Sequence, residues 1–324
     1  METQQFRQAQ TALFARFGVN AQARVVDVPA VGGRAHVSVV GSGPPVLLLI
    51  GGGAPGALWA PLMAGLNGFT LYAVDRPGFG LTDAVHHTTT SLRQQAVSFL
   101  DQLLDGLGLA QTAVVANSMG GLWASWLALD RPERVTAIVQ IGCPATILGT
   151  SAPLPMRLLS VRGLGKIMMR MEPPSPHQAT RLMERLGDPV DHLPEVRDLM
   201  VACQHLDSYV PTWLALLHAA LRLRGPRPEI ALGADELARI NQPVQLIWGD
   251  RDPFGTPEVG ANAAKMIPDA ELHVVPAGHI PWMSQADRIA ELATPFLATP
   301  RGRTGRPPRK PVARDQLAGP TGHR

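Results

Sequence analysis

Residues 46–50, 69–74, 111–116, 245–248 and 271–275 are compact apolar runs. Each is short enough for a buried strand, and each ends in a turn. Residues 122–129, Leu-Trp-Ala-Ser-Trp-Leu-Ala-Leu, read as a helix stopped by Asp130-Arg131-Pro132. Strand and helix patterns alternate from about Arg24 to Gly142 and resume at Asn241, which predicts an α/β fold with a mostly parallel sheet. Between those stretches the pattern turns helical, broken into short pieces by Pro153, Pro155, Pro173, Pro174, Pro176, Pro189 and Pro194. Roughly the first 17 residues read as an amphipathic helix. The predicted organisation is therefore an N-terminal helix over 1–23, an α/β core over 24–144 and 241–299, a helical insertion over 145–240, and a tail over 300–324. No internal repeat is evident.

Chemistry concentrates where the strand patterns end. Ala116-Asn117-Ser118-Met119-Gly120-Gly121 sets a serine between a strand pattern and a helix start. A serine on so sharp a turn is strained and needs small neighbours, which Ala116 and Gly120 supply. The plainer alternative is a serine capping a buried helix. Two later strand patterns also end in polar turns: Gly249-Asp250-Arg251-Asp252-Pro253, and Pro276-Ala277-Gly278-His279-Ile280-Pro281. The carboxyl edge of such strands is where open α/β sheets assemble their sites. Of the ten histidines, His279 sits in a turn of this kind. For the aspartates the alternative is a turn or cap role, and for His279 a satisfied structural histidine.

The serine turn resembles the nucleophile elbow of the α/β-hydrolase family, with Ala116 in place of the family's usual first glycine. Gly278-His279-Ile280-Pro281 is similar to the family's Gly-His-x-Pro signature, and Asp75-Arg76-Pro77-Gly78-Phe79-Gly80 to its Asp-x-x-Gly-x-Gly turn. The resemblance implies a Ser-Asp-His triad in that chain order, with Ser118 as nucleophile and His279 as general base. Asp250 and Asp252 both suit the third role; the family's Trp-Gly-x-x-Asp pattern puts it at Asp252. It also implies an oxyanion hole from two backbone N–H groups, those of Met119 and of a loop glycine after residues 46–50. Aligned on Ile50, which stands where the family carries histidine, that glycine is Gly52, with Gly53 as the alternative. A phosphate cradle is the other use of Gly51-Gly52-Gly53, but no Lys-Ser/Thr follows as a P-loop requires. The family's later Glu is replaced by Ser284. The resemblance runs from about Val25 to Leu297 and implies that the 145–240 insertion is a helical cap over the site.

Composition adjusts this picture. Hydrophobic residues make up 45% of 324, enough for a large core, and no run of 18 apolar residues suggests a membrane span. Two cysteines are too few for a disulfide scaffold or a cysteine metal site. Cys143 either lines the pocket or is a buried inert thiol. The N-terminus lacks a basic-then-apolar leader, so a cytoplasmic location is expected. Six of the eleven methionines fall in the insertion: Met156, Met168, Met169, Met171, Met183 and Met200. They suit an apolar pocket that reshapes around substrates, or simply the insertion's own core. Arg157, Arg162 and Lys166 read as a solvated helix face. Residues 300–324 carry seven Lys and Arg against one acid, so the remaining 299 residues hold 22 bases and 25 acids. The tail thus reads as a disordered basic arm with a solubilising role, nucleic-acid binding being the alternative.

The expected function is a serine hydrolase without cofactor or metal, cleaving a carboxylic ester of a small, largely apolar substrate through an acyl-enzyme. Two alternatives stand beside it. One is a carbon–carbon bond hydrolase of a ring-cleavage diketone with the same triad; the other is a non-catalytic member that binds or senses a small molecule.

Overall fold

The computed structural model describes residues 1–299; the basic tail lies outside the described residues. Elements run in chain order as α1 (Glu2–Arg16), β1 (Gln22–Val28), β2 (Gly33–Gly41), β3 (Pro45–Leu49), α2 (Ala60–Gly65), β4 (Thr70–Val74), α3 (Leu92–Leu107), β5 (Thr112–Asn117), α4 (Met119–Asp130) and β6 (Val135–Ile141). The inserted segment follows, with α5 (Leu154–Leu159), α6 (Leu164–Met171), α7 (Pro176–Arg185), α8 (Pro194–Gln204), α9 (Tyr209–Ala220), a short hairpin of β7 (Leu221–Arg222) and β8 (Gly225–Pro226), and α10 (Ala234–Leu237). The core resumes with β9 (Val244–Gly249), α11 (Pro257–Met266), β10 (Ala270–Val275) and α12 (Ala286–Ala298).

Eight strands make one sheet in the order β1-β2-β4-β3-β5-β6-β9-β10. β1 pairs antiparallel with β2, and β2 antiparallel with β4; every pairing from β4 onward is parallel. Parallel strands need crossovers, and the helices that supply them cover both faces, so the central strands lose their polar side. β5 shows this directly, with all six residues buried. β3 sits between β4, which follows it in the chain, and β5, which follows α3. The strand order therefore reverses direction there, leaving a crevice at the carboxyl edge where ligands bind in such sheets.

α4 is buried over nearly its whole circumference, as an almost uniformly apolar helix must be. It leaves β5 at close range: a Cβ added at Gly120 would lie 2.1 Å from the Leu49 carbonyl oxygen. Only glycine lets the helix start so near β3. The insertion's methionines divide. Met183 and Met200 are buried in the apolar core, Met171 is 78% exposed, and Met156 lines the chamber described below. The methionine-lined pocket is thus reduced to Met156 within the insertion, because the amphipathic helices spend the other methionines on packing or leave them outside. No helix among the described residues is long and apolar enough to cross a membrane.

Candidate active site

Ser118 is one of two non-glycine residues with positive φ among those described, at φ 51° and ψ −118°. A side chain rarely adopts that backbone conformation unless surrounding structure imposes it. Although Ser118 precedes the first turn of α4, its hydroxyl makes no capping bond. The plain capping role is therefore not what holds it. Met119 opens the helix, so its N–H is one of the unpaired donors at a helix start.

The turns after β9 and β10 meet beside this serine. Asp252 Oδ2 accepts a hydrogen bond from His279 Nδ1 at 2.8 Å and another from the Cys143 N–H at 2.7 Å. Its Oδ1 accepts from the Phe254 N–H at 2.9 Å. Burial works against the charged carboxylate, but His279 and the two backbone donors outweigh it and hold Asp252 below its ordinary value. Asp250 makes no such contact with His279 among the described residues; its N–H donates to the Val275 carbonyl. The Phe254 ring lies over the imidazole with centroids 4.3 Å apart. Asp252 and His279 are both buried, at 6% and 3% exposure. Among the described residues no hydrogen bond joins the Ser118 hydroxyl to His279, a looseness common before substrate arrives.

Asn117 ties the serine turn to the histidine turn. Its Nδ2 donates to the Ile141 carbonyl at 2.9 Å and to the His279 carbonyl at 3.0 Å. Cys143 is fully buried with its thiol against the Pro144 carbonyl, and burial, reinforced by Asp252, raises its pKa. Burial disfavours its thiolate, and its backbone N–H, not its sulfur, contacts Asp252.

The glycine loop after β3 is held from behind by Arg76. Its Nε donates to the Ile50 carbonyl at 2.8 Å and its Nη2 to the Gly52 carbonyl. The Gly51 carbonyl between them accepts from the Ala54 N–H at 3.3 Å. Three successive carbonyls are thus engaged, and a planar trans peptide then fixes the direction of each following N–H. Arg76 is fully buried, 5.2 Å from each of the Phe79 and Trp123 ring centroids, with no carboxylate pairing it among the described residues. Burial lowers its pKa, yet a guanidinium starts so high that it stays charged at neutral pH. Asp75 secures the far side of the same loop through the Gly56 N–H at 2.8 Å.

Gly52, Ser118, Met119, Met156, Trp213 and Phe254 line one chamber open to solvent. No charged side chain contributes to that lining among the described residues. Of the five positions expected from the sequence, Ser118, Met119 and Gly52 line the chamber, His279 lies under Phe254, and Asp252 is bonded to His279. Sequence reasoning missed Asn117, Arg76 and one further buried acid, Asp188. Asp188 Oδ1 accepts from the Gly278 N–H at 2.9 Å, and its Oδ2 from the Ile280 N–H at 2.7 Å. An arginine inside the Asp-x-x-Gly-x-Gly turn was the one available signal, since a charge so close to strand β4 invites a buried partner.

This fold and this sheet edge define an α/β hydrolase. The family model described as "Alpha/beta hydrolase family" matches residues 46–292, and the chain belongs to that family. Over 281 residues it is 26% identical to a 2-hydroxy-6-oxononadienedioate/2-hydroxy-6-oxononatrienedioate hydrolase of a Pseudomonas species, covering 83% of this chain and 93% of that one. Among solved structures it is similar to carboxylesterase CesB from Bacillus subtilis, with TM-score 0.71 and 20% identity over 92% of this chain and 98% of that one. It is equally similar in fold to 2-hydroxy-6-oxo-6-phenylhexa-2,4-dienoate hydrolase from a Rhodococcus species, with TM-score 0.71 and 19% identity over 86% and 100%. The chain is a hydrolase, and a small-molecule substrate fits these relatives.

Proposed function

We propose that the chain is a serine hydrolase that cleaves a carboxylic ester of a small, largely apolar substrate. The observation that carries this reading is a strained, uncapped serine lining an apolar chamber whose Phe254 wall lies over a buried, hydrogen-bonded Asp252–His279 pair. Ser118 Oγ attacks the ester carbonyl carbon while His279 Nε2 takes its proton. Asp252 holds the imidazole by Nδ1, fixing the tautomer that leaves Nε2 free to accept, and stabilises the imidazolium that forms. The negative oxygen of the tetrahedral intermediate is met by the N–H groups of Met119 and Gly52. Arg76 keeps the Gly52 loop in the orientation this requires. The C–O bond then breaks, His279 gives its proton to the departing alkoxide, and the acyl group stays on Ser118. Water, deprotonated by His279, attacks the acyl carbon; the Ser118 Oγ–C bond then breaks, His279 returns the proton to Oγ, and the carboxylic acid leaves. The inserted segment over 145–240 acts as the cap, contributing Met156 and Trp213 to the acyl wall.

Carbon–carbon bond cleavage of a ring-cleavage diketone is the second reading, favoured by the names of the sequence relatives. Their "dioate" carries two carboxylates, whereas this chamber is lined without a cation, which puts neutral esters first. The test is a panel of short and medium p-nitrophenyl esters beside a vinylogous diketone, run on wild type and Ser118→Ala. Ester turnover abolished by Ser118→Ala upholds the reading. Turnover of the diketone alone replaces it with the second, and ligand binding without any turnover identifies a binding protein.

A further inference from the structure

The segment that leaves α7 runs along the turn that carries His279. Its Leu186 carbonyl accepts from the His279 N–H at 2.8 Å, and Asp188 accepts from the N–H groups on either side, those of Gly278 and Ile280. Three consecutive amides are therefore taken up by one strap, and the carbonyl of His279 is held from the opposite side by Asn117. The approach is close: a Cβ added at Gly278 would lie 2.1 Å from the Leu186 carbonyl oxygen. Asp188 is 1% exposed and forms no ion pair with a cation among the described residues. Burial raises the pKa of its carboxyl, and the two amides and nearby His279 draw it back. A buried carboxylate with both oxygens committed to backbone donors has one orientation open to it, and so does the turn it grips.

We propose that Asp188 is a positioning residue for the general base: with Leu186 it straps the histidine turn so that the imidazole stays aligned between Asp252 and Ser118. The proposal rests on the hydrolase reading above. It makes the inserted segment part of the catalytic framework, because the strap belongs to that segment and the histidine to the core. Any motion of the insertion that opens the chamber must hinge on either side of Leu186, Gly187 and Asp188, or else release His279. A misplacement of about 1 Å at a reacting group is enough to cost on the order of 100-fold in rate.

Asp188→Asn tests this, because the amide keeps the shape and one acceptor but turns an NH₂ against a backbone N–H. With p-nitrophenyl butyrate, kcat should fall roughly 10- to 100-fold while KM stays within about threefold. Fluorophosphonate labelling of Ser118 should slow by a similar factor, and the amide hydrogens of Gly278, His279 and Ile280, slow to exchange in wild type, should exchange faster. A purely structural role would lower the melting temperature and leave the kcat of folded protein unchanged. A folded Asn variant with kcat within twofold of wild type overturns the proposal. So do wild-type amides at 278–280 that exchange as freely as exposed loop, a measurement that stands even if the variant does not fold. A wild type that neither turns over esters nor labels sinks the hydrolase reading, while amide exchange still judges the strap by itself.

Discussion

The two turns that flank Ser118 are gripped by buried charges of opposite sign. The glycine loop after β3 is held by a cation, Arg76, through its carbonyl oxygens. The histidine turn after β10 is held by an anion, Asp188, through its N–H groups. The contrast follows from what each turn has to present. On the proposed mechanism the glycine loop offers N–H donors to a negative oxygen, so its carbonyls are engaged from behind, and only a donor can engage them. A turn that offers a side chain can spend its own N–H groups on an acceptor. In both places a charged side chain binds the backbone directly, and neither charge has an ion-pair partner among the described residues. Leaving such charges buried is costly; backbone groups satisfy both oxygens of Asp188 and the Nε and Nη2 of Arg76, while Arg76 Nη1 has no hydrogen-bond partner among the described residues.

Breaking the comparison at its centre should have the largest effect. Ser118→Ala removes the atom both grips serve and should lower ester kcat at least about 10⁴-fold with little change in ligand affinity, read by turnover and equilibrium binding side by side. Asp252→Asn comes next. It strands the imidazole in the wrong tautomer and should lower kcat on the order of 10³- to 10⁴-fold. A variant within tenfold of wild type would move the acid elsewhere, to Asp250 first. Arg76 is third. Arg76→Met should reduce kcat roughly 100-fold, and affinity for a trifluoromethyl ketone in parallel, with substrate KM changed much less. Arg76→Lys keeps the charge but not the fork that bridges two carbonyls, and should fall between Met and wild type. Equal losses in substrate and ketone affinity would show that Arg76 merely supports the fold.

The smallest effect sharpens the comparison through pH. Asp252 has a folded pKa below its ordinary 3.8, so its stabilising contribution is fully present above that value and is lost as pH falls through the lower folded one. Asp188 has the opposite sign, with a raised folded pKa, so its ionisation costs stability as pH rises through it. Melting temperatures of wild type should therefore decline more steeply below about pH 4 than those of Asp252→Asn, whereas Asp188→Asn should not flatten that decline. Parallel curves for wild type and Asp252→Asn would contradict the assignment of the stabilised carboxylate.

The parts legible in the sequence were those where a chemical group follows a strand directly. Ser118, Asp252 and His279 each sit within four residues of the end of β5, β9 or β10, so an apolar run and the turn after it place them on one edge. Gly52 and Met119 follow from the same logic, as backbone groups whose neighbours set their place. Asp188 was illegible for the converse reason. Asp188-Pro189 looks like any turn between helices, and only tertiary packing brings α7's exit against the β10 turn. Arg76 stood in view inside a recognisable turn, but its role depends on Phe79 and Trp123 closing over it, and Trp123 lies in another element. The insertion's methionines misled in part, since spacing along short helices does not say which face meets the chamber.

The central claim is that Ser118 is the nucleophile and that the buried pair activates it. Its most direct measurement is mass spectrometry of the protein after a fluorophosphonate probe, with the adduct mapped to a peptide and residue. The account predicts a single adduct on Ser118 in wild type, formed far more slowly in His279→Ala and absent in Ser118→Ala. An unlabelled wild type, or labelling that survives Ser118→Ala at the same rate, would contradict it.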